Sequence, residues 1–164
     1  MEISSASPKA VQGTRGTRAG TILLAGLGAF LALSAVGAMG TFTGQAWVLG
    51  SFGASSVLLF GFPGSPFSRT RNVLGGHVLS SLIGLCFLQW LGPGWPAMAG
   101  AAACALMVMM ATDTVHPPAG SNPIIIFMSH ADWTFLAFPT LAGALLLLLA
   151  QRIYRGVVRQ IAQE

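Results

Sequence analysis

Residues 114–125 read TVHPPAGSNPII and interrupt a chain that is otherwise mostly Leu, Ala, Gly and Val. Proline lacks a backbone N–H, and the residue before a proline is biased away from helical geometry. We therefore expect a helix to end before Pro117 and Pro118 and to restart around Ala119 or Gly120, since proline is compatible with the first turn of a helix. The stretch predicts a helix that is broken between two apolar runs.

The composition around this break is that of a membrane protein. Of the 164 residues, 54% are hydrophobic and 7% are charged, whereas soluble domains carry roughly 25% charged residues. Several stretches approach or exceed the roughly 18–20 apolar residues that cross a bilayer as a helix. They are 19–38, 44–61, 73–91, 95–112 and 133–151. We predict an all-α polytopic membrane protein with four long transmembrane helices and two short broken or half helices, within 44–61 and 117–128.

The basic residues indicate the topology. The eight Lys and Arg residues lie near the N-terminus, at Arg69 and Arg71, and between Arg152 and Arg159. If both short segments cross, there are six passages and every basic residue is cytoplasmic, as short loops require. If they only dip in and return, the four remaining spans put Arg69 and Arg71 on the wrong face. We therefore predict six passages, although 117–128 would span only about 18 Å as helix of a roughly 30 Å core.

These passages define the predicted domain organisation. A disordered cytoplasmic N-terminus, 1–18, precedes a transmembrane domain, 19–155, with halves 19–91 and 95–155. A basic cytoplasmic tail, 156–164, follows. The first apolar run lacks a cleavage site and is predicted to be a span, not a signal peptide. The polar N-terminus is too short for a plastid transit peptide, so we expect a bacterial inner membrane.

The two halves share a pattern. Residues 50–60 read GSFGASSVLLF and 119–127 read AGSNPIIIF, and each short element lies between two longer helices. Three passages in each half make the second half run upside down relative to the first. An inverted repeat with broken helices in matching positions points to a substrate site near the bilayer midplane. The alternative is chance similarity between two patches of small residues.

The restarted helices predict the kind of substrate. A helix N-terminus has free N–H groups and a partial positive charge that favour anions, and two are predicted, at 53–56 and 119–122. Polar side chains there can also donate hydrogen bonds: Ser55, Ser56, Ser121 and Asn122. Because no Lys or Arg is predicted at membrane depth, a small anion or polar solute would bind weakly, as flux requires. Alternatively, these side chains bridge helices or cap their own segments.

Two histidines are further candidates for the site. His77 and His116 are ionisable residues in apolar surroundings, which are functional candidates by default, and either could couple anion entry to a proton. Their alternative roles are to bond a carbonyl as a neutral imidazole and to satisfy the backbone freed by the prolines. We expect Asp113 to pair with Arg69 or Arg71 at a cytoplasmic mouth that also includes Asn72.

Other chemistry is weakly indicated. Asp113 and His116 are too few ligands for a zinc site, and nothing in the sequence places His77 beside them, so we predict no metal. Nucleophile, Walker and dinucleotide motifs are absent from the sequence, so we predict no cofactor and no enzymatic activity. The basic residues flank apolar segments instead of forming a patch, which argues against nucleic acid. The predicted partners are a small inorganic anion, the lipid bilayer and a second copy in a dimer.

The chain resembles a known family in the stretches GASSVLLFGFPGSPFSRTRNVLGGHVLSSLIG (53–84) and ATDTVHPPAGSNPIII (111–126). These are similar to the HPP family of integral membrane proteins, named for the tripeptide His116-Pro117-Pro118. The resemblance implies a small four-span transport module with nitrite as the candidate substrate, because some plant chloroplast and cyanobacterial members look like nitrite transporters. The functional positions implied are Gly53, Ser55, Ser56, Arg71, Asn72, His77, His116, Pro117, Pro118, Gly120, Ser121 and Asn122.

Three functions from different classes are therefore compatible with the sequence. The leading hypothesis is transport of a small monovalent anion, most specifically nitrite. The second is a membrane module that senses a ligand or docks a partner without transporting anything. The third is a membrane-embedded metalloenzyme that uses Asp113, His116 and His77.

Overall fold

The computed structural model describes residues 18–43 and 49–161, and every regular element in these two ranges is helical. The all-α prediction is therefore confirmed, while residues 1–17, 44–48 and 162–164 of the predicted segments lie outside the described residues. The helices are α1 (Arg18–Thr43), α2 (Gly50–Ser56) with a wider π-helical turn (Val57–Gly61), α3 (Thr70–Leu91), α4 (Trp95–Ala111), a 3-10 turn (Pro117–Ser121) leading into α5 (Asn122–Ser129), and a π-helical turn (Leu136–Leu141) leading into α6 (Ala142–Ile161).

Three of these helices are long and apolar enough to cross a membrane. They are Ala19–Phe42, Thr70–Leu91 and Leu136–Ile161. The fourth predicted long helix, α4, has 17 residues, and the short helix continues through its π-helical turn as Gly50–Gly61. The last helix extends to Ile161, so the predicted tail at 156–164 begins inside it.

The connection between α3 and α4 is short because its residues stop one helix and start the next. Gly92 follows α3 with φ of 76°, a left-handed conformation that glycine adopts without a steric penalty from Cβ. Pro96 lies in the first turn of α4, where its missing N–H costs no hydrogen bond. The two helices therefore pack as an antiparallel pair.

The segment that contains the break runs parallel to α3. Three glycines of α3 allow the close approach, because a Cβ atom on Gly75, Gly76 or Gly84 would come within 2.8 Å of it. The residues that they contact are Thr114, His116 and Pro123, in the same order along the chain. The segment therefore leads from the first turns of α3 towards its C-terminal end.

The other short helix runs parallel to α6. Phe52 packs on Gly143, where a Cβ atom would meet the phenyl ring at 2.3 Å. Further along, Gln151 Nε2 donates to the Leu59 carbonyl at 3.2 Å, and the rings of Phe60 and Tyr154 lie 5.2 Å apart. Each short helix therefore follows the last long helix of the other half of the chain.

The bundle has two distinct ends. At the basic end, Arg155 of α6 donates to the Pro63 carbonyl in the connection that precedes α3, and Arg71 of α3 donates to the Thr112 carbonyl after α4. The opposite end contains the α3–α4 connection and the residues after α5. Because α3 starts and α6 ends at the basic end, α2 and α5 run in opposite directions.

The start of α6 is irregular. Phe138 has extended backbone angles inside the π-helical turn Leu136–Leu141, immediately before Pro139, and a proline at this position accounts for the kink. Thr140, the next residue, is fully buried. The predicted regular helix at 133–151 is therefore kinked in its first turns.

Candidate functional site

Four polar side chains from four parts of the chain meet inside the bundle. They are Ser55 in the last turn of α2, His77 in the second turn of α3, His116 before the 3-10 turn and Asn122 at the start of α5, and each is fully buried. We call them the polar cluster. Ser55 Oγ lies 3.0 Å from His77 Nε2 and 2.8 Å from His116 Nε2, and Asn122 Nδ2 lies 3.1 Å from His77 Nδ1. The two imidazole rings are 5.1 Å apart.

The break in the helix positions His116. Its backbone is extended, with φ of −132° and ψ of 98°, and its Nδ1 atom lies 2.8 Å from the Phe67 carbonyl oxygen. Side chains of α3 satisfy the carbonyls that the break leaves free: Asn72 Nδ2 donates to Val115 O at 2.8 Å, and Ser80 Oγ donates to Ala119 O. Non-helical backbone within a membrane requires such partners.

Two residues that the sequence analysis missed extend the cluster. Asn122 Nδ2 donates to Ser81 Oγ at 2.9 Å, and Ser81 Oγ lies 3.0 Å from Thr140 Oγ1. Ser81 could have been found, because His77, Ser80 and Ser81 have helical spacing and share one face of an apolar helix. Thr140 has no such signal, since the kink in the chain before it turns it inward.

Two of the predicted hydrogen-bonding side chains do not join the cluster. Ser56 Oγ donates to the Phe52 carbonyl at 2.9 Å, and Ser121 Oγ donates to the Pro118 carbonyl at 2.9 Å. Both therefore bond their own segments, which is the alternative stated above. Of the other predicted positions, Pro118 is buried beside the cluster, Pro117 is exposed, and a Cβ atom on Gly53 or Gly120 would meet nothing within 4 Å.

One of the two predicted helix N-termini is wrong. Helix α2 begins at Gly50, so residues 53–56 lie within it and Ser55 and Ser56 form its last turn. Small residues without a proline do not interrupt a helix, and residues 50–56 contain none. At the other position the chain does restart: the 3-10 turn begins at Pro117 and α-helical geometry begins at Asn122.

Cavities lie at both ends of the bundle. At the basic end, a cavity of about 390 Å³ is lined by the residues predicted to form a mouth, Arg69, Arg71, Asn72 and Asp113, with Pro66 and Val115. The predicted ion pair of Asp113 is wrong, because Arg71 donates to the Thr112 carbonyl and no ion pair is formed among these described residues.

The cavity at the opposite end, of about 450 Å³, is lined by the start of α2 and by residues 129–139, including Ser129, His130 and Asp132. Hydrogen bonds from the hydroxyl and the backbone N–H of Thr134 lower the pKa of the exposed Asp132 carboxyl from its ordinary value of 3.8. This cavity therefore presents an anionic carboxylate at neutral pH, whereas the cavity at the basic end is lined by two arginines and one aspartate.

The three candidate metal ligands do not meet. His77 and His116 are adjacent, but the Nε2 atoms of both rings face the Ser55 hydroxyl. Asp113 is an exposed turn residue, with φ of 52°, in the basic cavity. Within residues 18–43 and 49–161, three His, Cys, Asp or Glu side chains nowhere come together as a metal site would require.

A bundle of apolar helices around a buried polar cluster defines the chain as a helical integral membrane protein with polar side chains enclosed between its helices. The chain belongs to the HPP family, since the family model described as HPP, transmembrane region, matches residues 14–162. The resemblance seen in the sequence is therefore confirmed.

Two curated relatives are transmembrane proteins of Dictyostelium discoideum. One is 34% identical over 121 residues, which cover 69% of this chain and 42% of the relative, and the other is 33% identical over 122 residues, which cover 70% and 39%. The chain thus spans less than half the length of these relatives. No solved structure matches it.

Proposed function

We propose that this protein transports a small monovalent anion, most specifically nitrite, across a membrane by way of the polar cluster. The observation that carries the proposal is a fully buried set of hydrogen-bonding side chains between two end cavities in an apolar bundle. Polar groups inside a membrane protein are costly and are retained where a solute or ion passes.

The directions of the short helices support an inverted repeat and six passages. Helix α2 packs parallel to α6, and α5 packs parallel to α3. An inverted repeat predicts both pairs, because α2 corresponds to α5 and α3 corresponds to α6 in the two halves. The short helices run in opposite directions between the two ends. Exposed Trp90 and Trp95 lie at the end opposite Arg71 and Arg155, which agrees with Trp at one membrane interface and basic residues on the cytoplasmic side of the other.

Charge and size support a small anion as the cargo. Arg69 and Arg71 line the cavity at the basic end, where they would concentrate anions before entry. The polar cluster contains no Lys, Arg or carboxylate side chain, and its hydrogen-bonded atom pairs lie 2.8–3.1 Å apart, so this packing favours a small solute over a large one. Nitrite is the specific candidate because the HPP family, as described above, includes members that look like nitrite transporters.

The first experiment measures flux directly. The purified protein, reconstituted in liposomes, is expected to accelerate nitrite entry over protein-free liposomes, which control for passive entry of nitrous acid. Nitrate and formate serve as comparison anions. If none of the three enters faster than in protein-free liposomes, the transport proposal fails and the alternative of a sensing or docking module is favoured.

The second experiment tests the site. Asn122→Leu removes a buried amide from the cluster, and we expect nitrite flux to fall about tenfold or more, since a hydrogen bond to a charged ligand is worth about 1.5–3 kcal/mol. Ser56→Ala is the matched control, because Ser56 bonds only the Phe52 carbonyl of its own helix and should retain flux. Equal flux in both variants would argue against the site.

The cellular setting belongs to the same proposal. A cytoplasmic C-terminus is consistent with the basic residues gathered at one end of the bundle, and a bacterial inner membrane and a dimer complete the proposal. Exposed apolar side chains on α1 and α4, such as Leu23, Phe30 and Met107, would contact lipid or a second copy.

A further inference from the structure

The hydrogen atoms of the polar cluster can be assigned from its geometry. The Phe67 carbonyl can only accept, so His116 Nδ1, 2.8 Å away, carries a hydrogen. In a neutral imidazole, the other nitrogen is then an acceptor. His116 Nε2 therefore accepts the hydrogen of the Ser55 hydroxyl, 2.8 Å away.

The assignment continues through the second histidine. A hydroxyl has one hydrogen, and Ser55 uses it on His116, so Ser55 Oγ must accept from His77 Nε2 at 3.0 Å. His77 Nδ1 is then an acceptor and takes a hydrogen from Asn122 Nδ2 at 3.1 Å. The amide orientation agrees, because Asn122 Nδ2 also lies 3.3 Å from the His77 carbonyl oxygen, which only accepts.

This arrangement leaves no donor for an anion. The two hydrogens of the Asn122 amide go to His77 and Ser81, and the other donors are used within the chain of bonds that ends at Phe67. The one unused atom is an acceptor: Asn122 Oδ1 is buried without a hydrogen-bond partner. An acceptor facing an anion is repulsive, so the neutral cluster is not an anion site.

One proton reverses this polarity. If His77 Nδ1 binds a proton, it becomes a donor and faces the donor Nδ2 of Asn122. If the Asn122 amide rotates by half a turn, its Oδ1 atom can accept from His77 Nδ1–H and from the Ser81 hydroxyl. The NH₂ group then occupies the position where Oδ1 had no hydrogen-bond partner. Only the His77 carbonyl, the longest of these contacts at 3.3 Å, opposes the rotation. The cluster then presents a donor group beside a positive charge, which together bind anions strongly.

We propose that the site binds its anion only together with one proton. The proton is held on His77, and its presence causes the Asn122 amide to rotate. This inference rests on the proposed function and assigns the proton as the second transported species. The balance is simple: one proton and one anion enter the site, no covalent bond other than the N–H forms, and both leave together.

The groups that contact His77 are consistent with its role as the residue that binds the proton. Ser55 and Phe52 face it from α2, His116 from the segment before the 3-10 turn, and Asn122 from α5. From the π-helical turn before α6, Thr140 contacts Ser81, which in turn contacts Asn122. Within the described residues, no carboxylate, Lys or Arg hydrogen-bonds to any member of the cluster. The two imidazoles are therefore the titratable groups, and the positive charge of one opposes a second proton on the other.

The experiment measures nitrite and proton entry together in liposomes that contain a trapped pH indicator. With the native chain we expect one proton to enter with each nitrite, no membrane potential to develop, and the initial rate to fall up to about tenfold per unit of rising external pH. His77→Asn, which cannot bind the proton, should lose both flux and pH dependence, while Ser56→Ala should keep both. A folded His77→Asn protein is verified by its elution from size exclusion in detergent.

The failure of this inference is distinct from that of the proposed function. Nitrite entry that exceeds protein-free liposomes but brings no protons, generates a potential, or is independent of pH overturns proton linkage and leaves transport intact. Nitrite entry equal to protein-free liposomes overturns transport itself. Because the native chain alone distinguishes these outcomes, the test does not depend on folding of the variant.

Discussion

At the scale of single residues, the site depends on the absence of a side chain at Gly76 as well as on its polar side chains. Gly76 has no side chain, and His116 Cβ would lie 2.7 Å from a Cβ atom placed there. A methyl group at that position would push His116 away from Ser55 and Phe67, which hold its ring. Close packing of this kind is needed because a buried imidazole that loses its partners costs free energy.

Gly76→Ala therefore tests this contact. We expect a lower melting temperature in detergent, corresponding to about 1–3 kcal/mol of overpacking, together with a reduced nitrite flux. Gly53→Ala is the control, since its Cβ would meet nothing within 4 Å, and alanine stabilises a helix interior by up to about 1 kcal/mol relative to glycine. If Gly76→Ala is as stable as Gly53→Ala, the contact is less tight than described.

At the scale of elements, the short helices survive because long helices satisfy their ends. The C-terminal carbonyls of α2 and its π-helical turn receive side-chain donors: Ser68 Oγ bonds Leu58 O at 3.0 Å and Gln151 Nε2 bonds Leu59 O at 3.2 Å. The break before α5 receives the amide of Asn72 and the hydroxyl of Ser80 in the same way. A helix end without water needs such partners.

Gln151→Leu tests this support for α2. Removing the amide leaves the buried Leu59 carbonyl unsatisfied, and we expect a loss of about 1–3 kcal/mol in unfolding free energy, measured by denaturation in mixed detergent micelles. Gln160→Leu, at an exposed position of the same helix, should change it little. Equal effects would mean that the loss comes from added apolar surface and not from the lost hydrogen bond.

At the scale of the whole molecule, the two short helices decide the topology. Their opposite directions and the shared basic end are expected if both cross the membrane, so that the connection before α3 lies on the cytoplasmic side with the C-terminus. If they dip in and return, the two ends of the bundle do not correspond to the two sides of the membrane.

Cysteine labelling distinguishes these topologies. In a background with Cys86→Ala and Cys104→Ala, we expect an impermeant maleimide to label exposed Thr70→Cys only from the cytoplasmic side and exposed Asp132→Cys only from the other side. Labelling of both positions from one side would contradict six passages. Labelling of Thr70→Cys from outside would support the four-span arrangement.

Composition and local sequence were sufficient to predict the apolar helical class, the family and the break at Pro117 and Pro118. These follow from composition and from backbone constraints that act on adjacent residues, so neighbours in the chain suffice to read them. The sequence also indicated His77 and His116 as candidates, and the structure brings these two side chains together. The sequence prediction failed at α2, where small residues without a proline allowed the helix to start earlier than predicted.

The tertiary structure alone decided which polar side chains meet. Ser55 and His116 are 61 residues apart, and Ser55 joins the cluster while its neighbour Ser56 bonds its own helix. A one-residue step turns a side chain by about 100° around a helix of 3.6 residues per turn. Which face of a short helix points inward therefore depends on how the long helices pack against it at Gly76, Gly84 and Gly143. Adjacent residues in the sequence do not determine that packing.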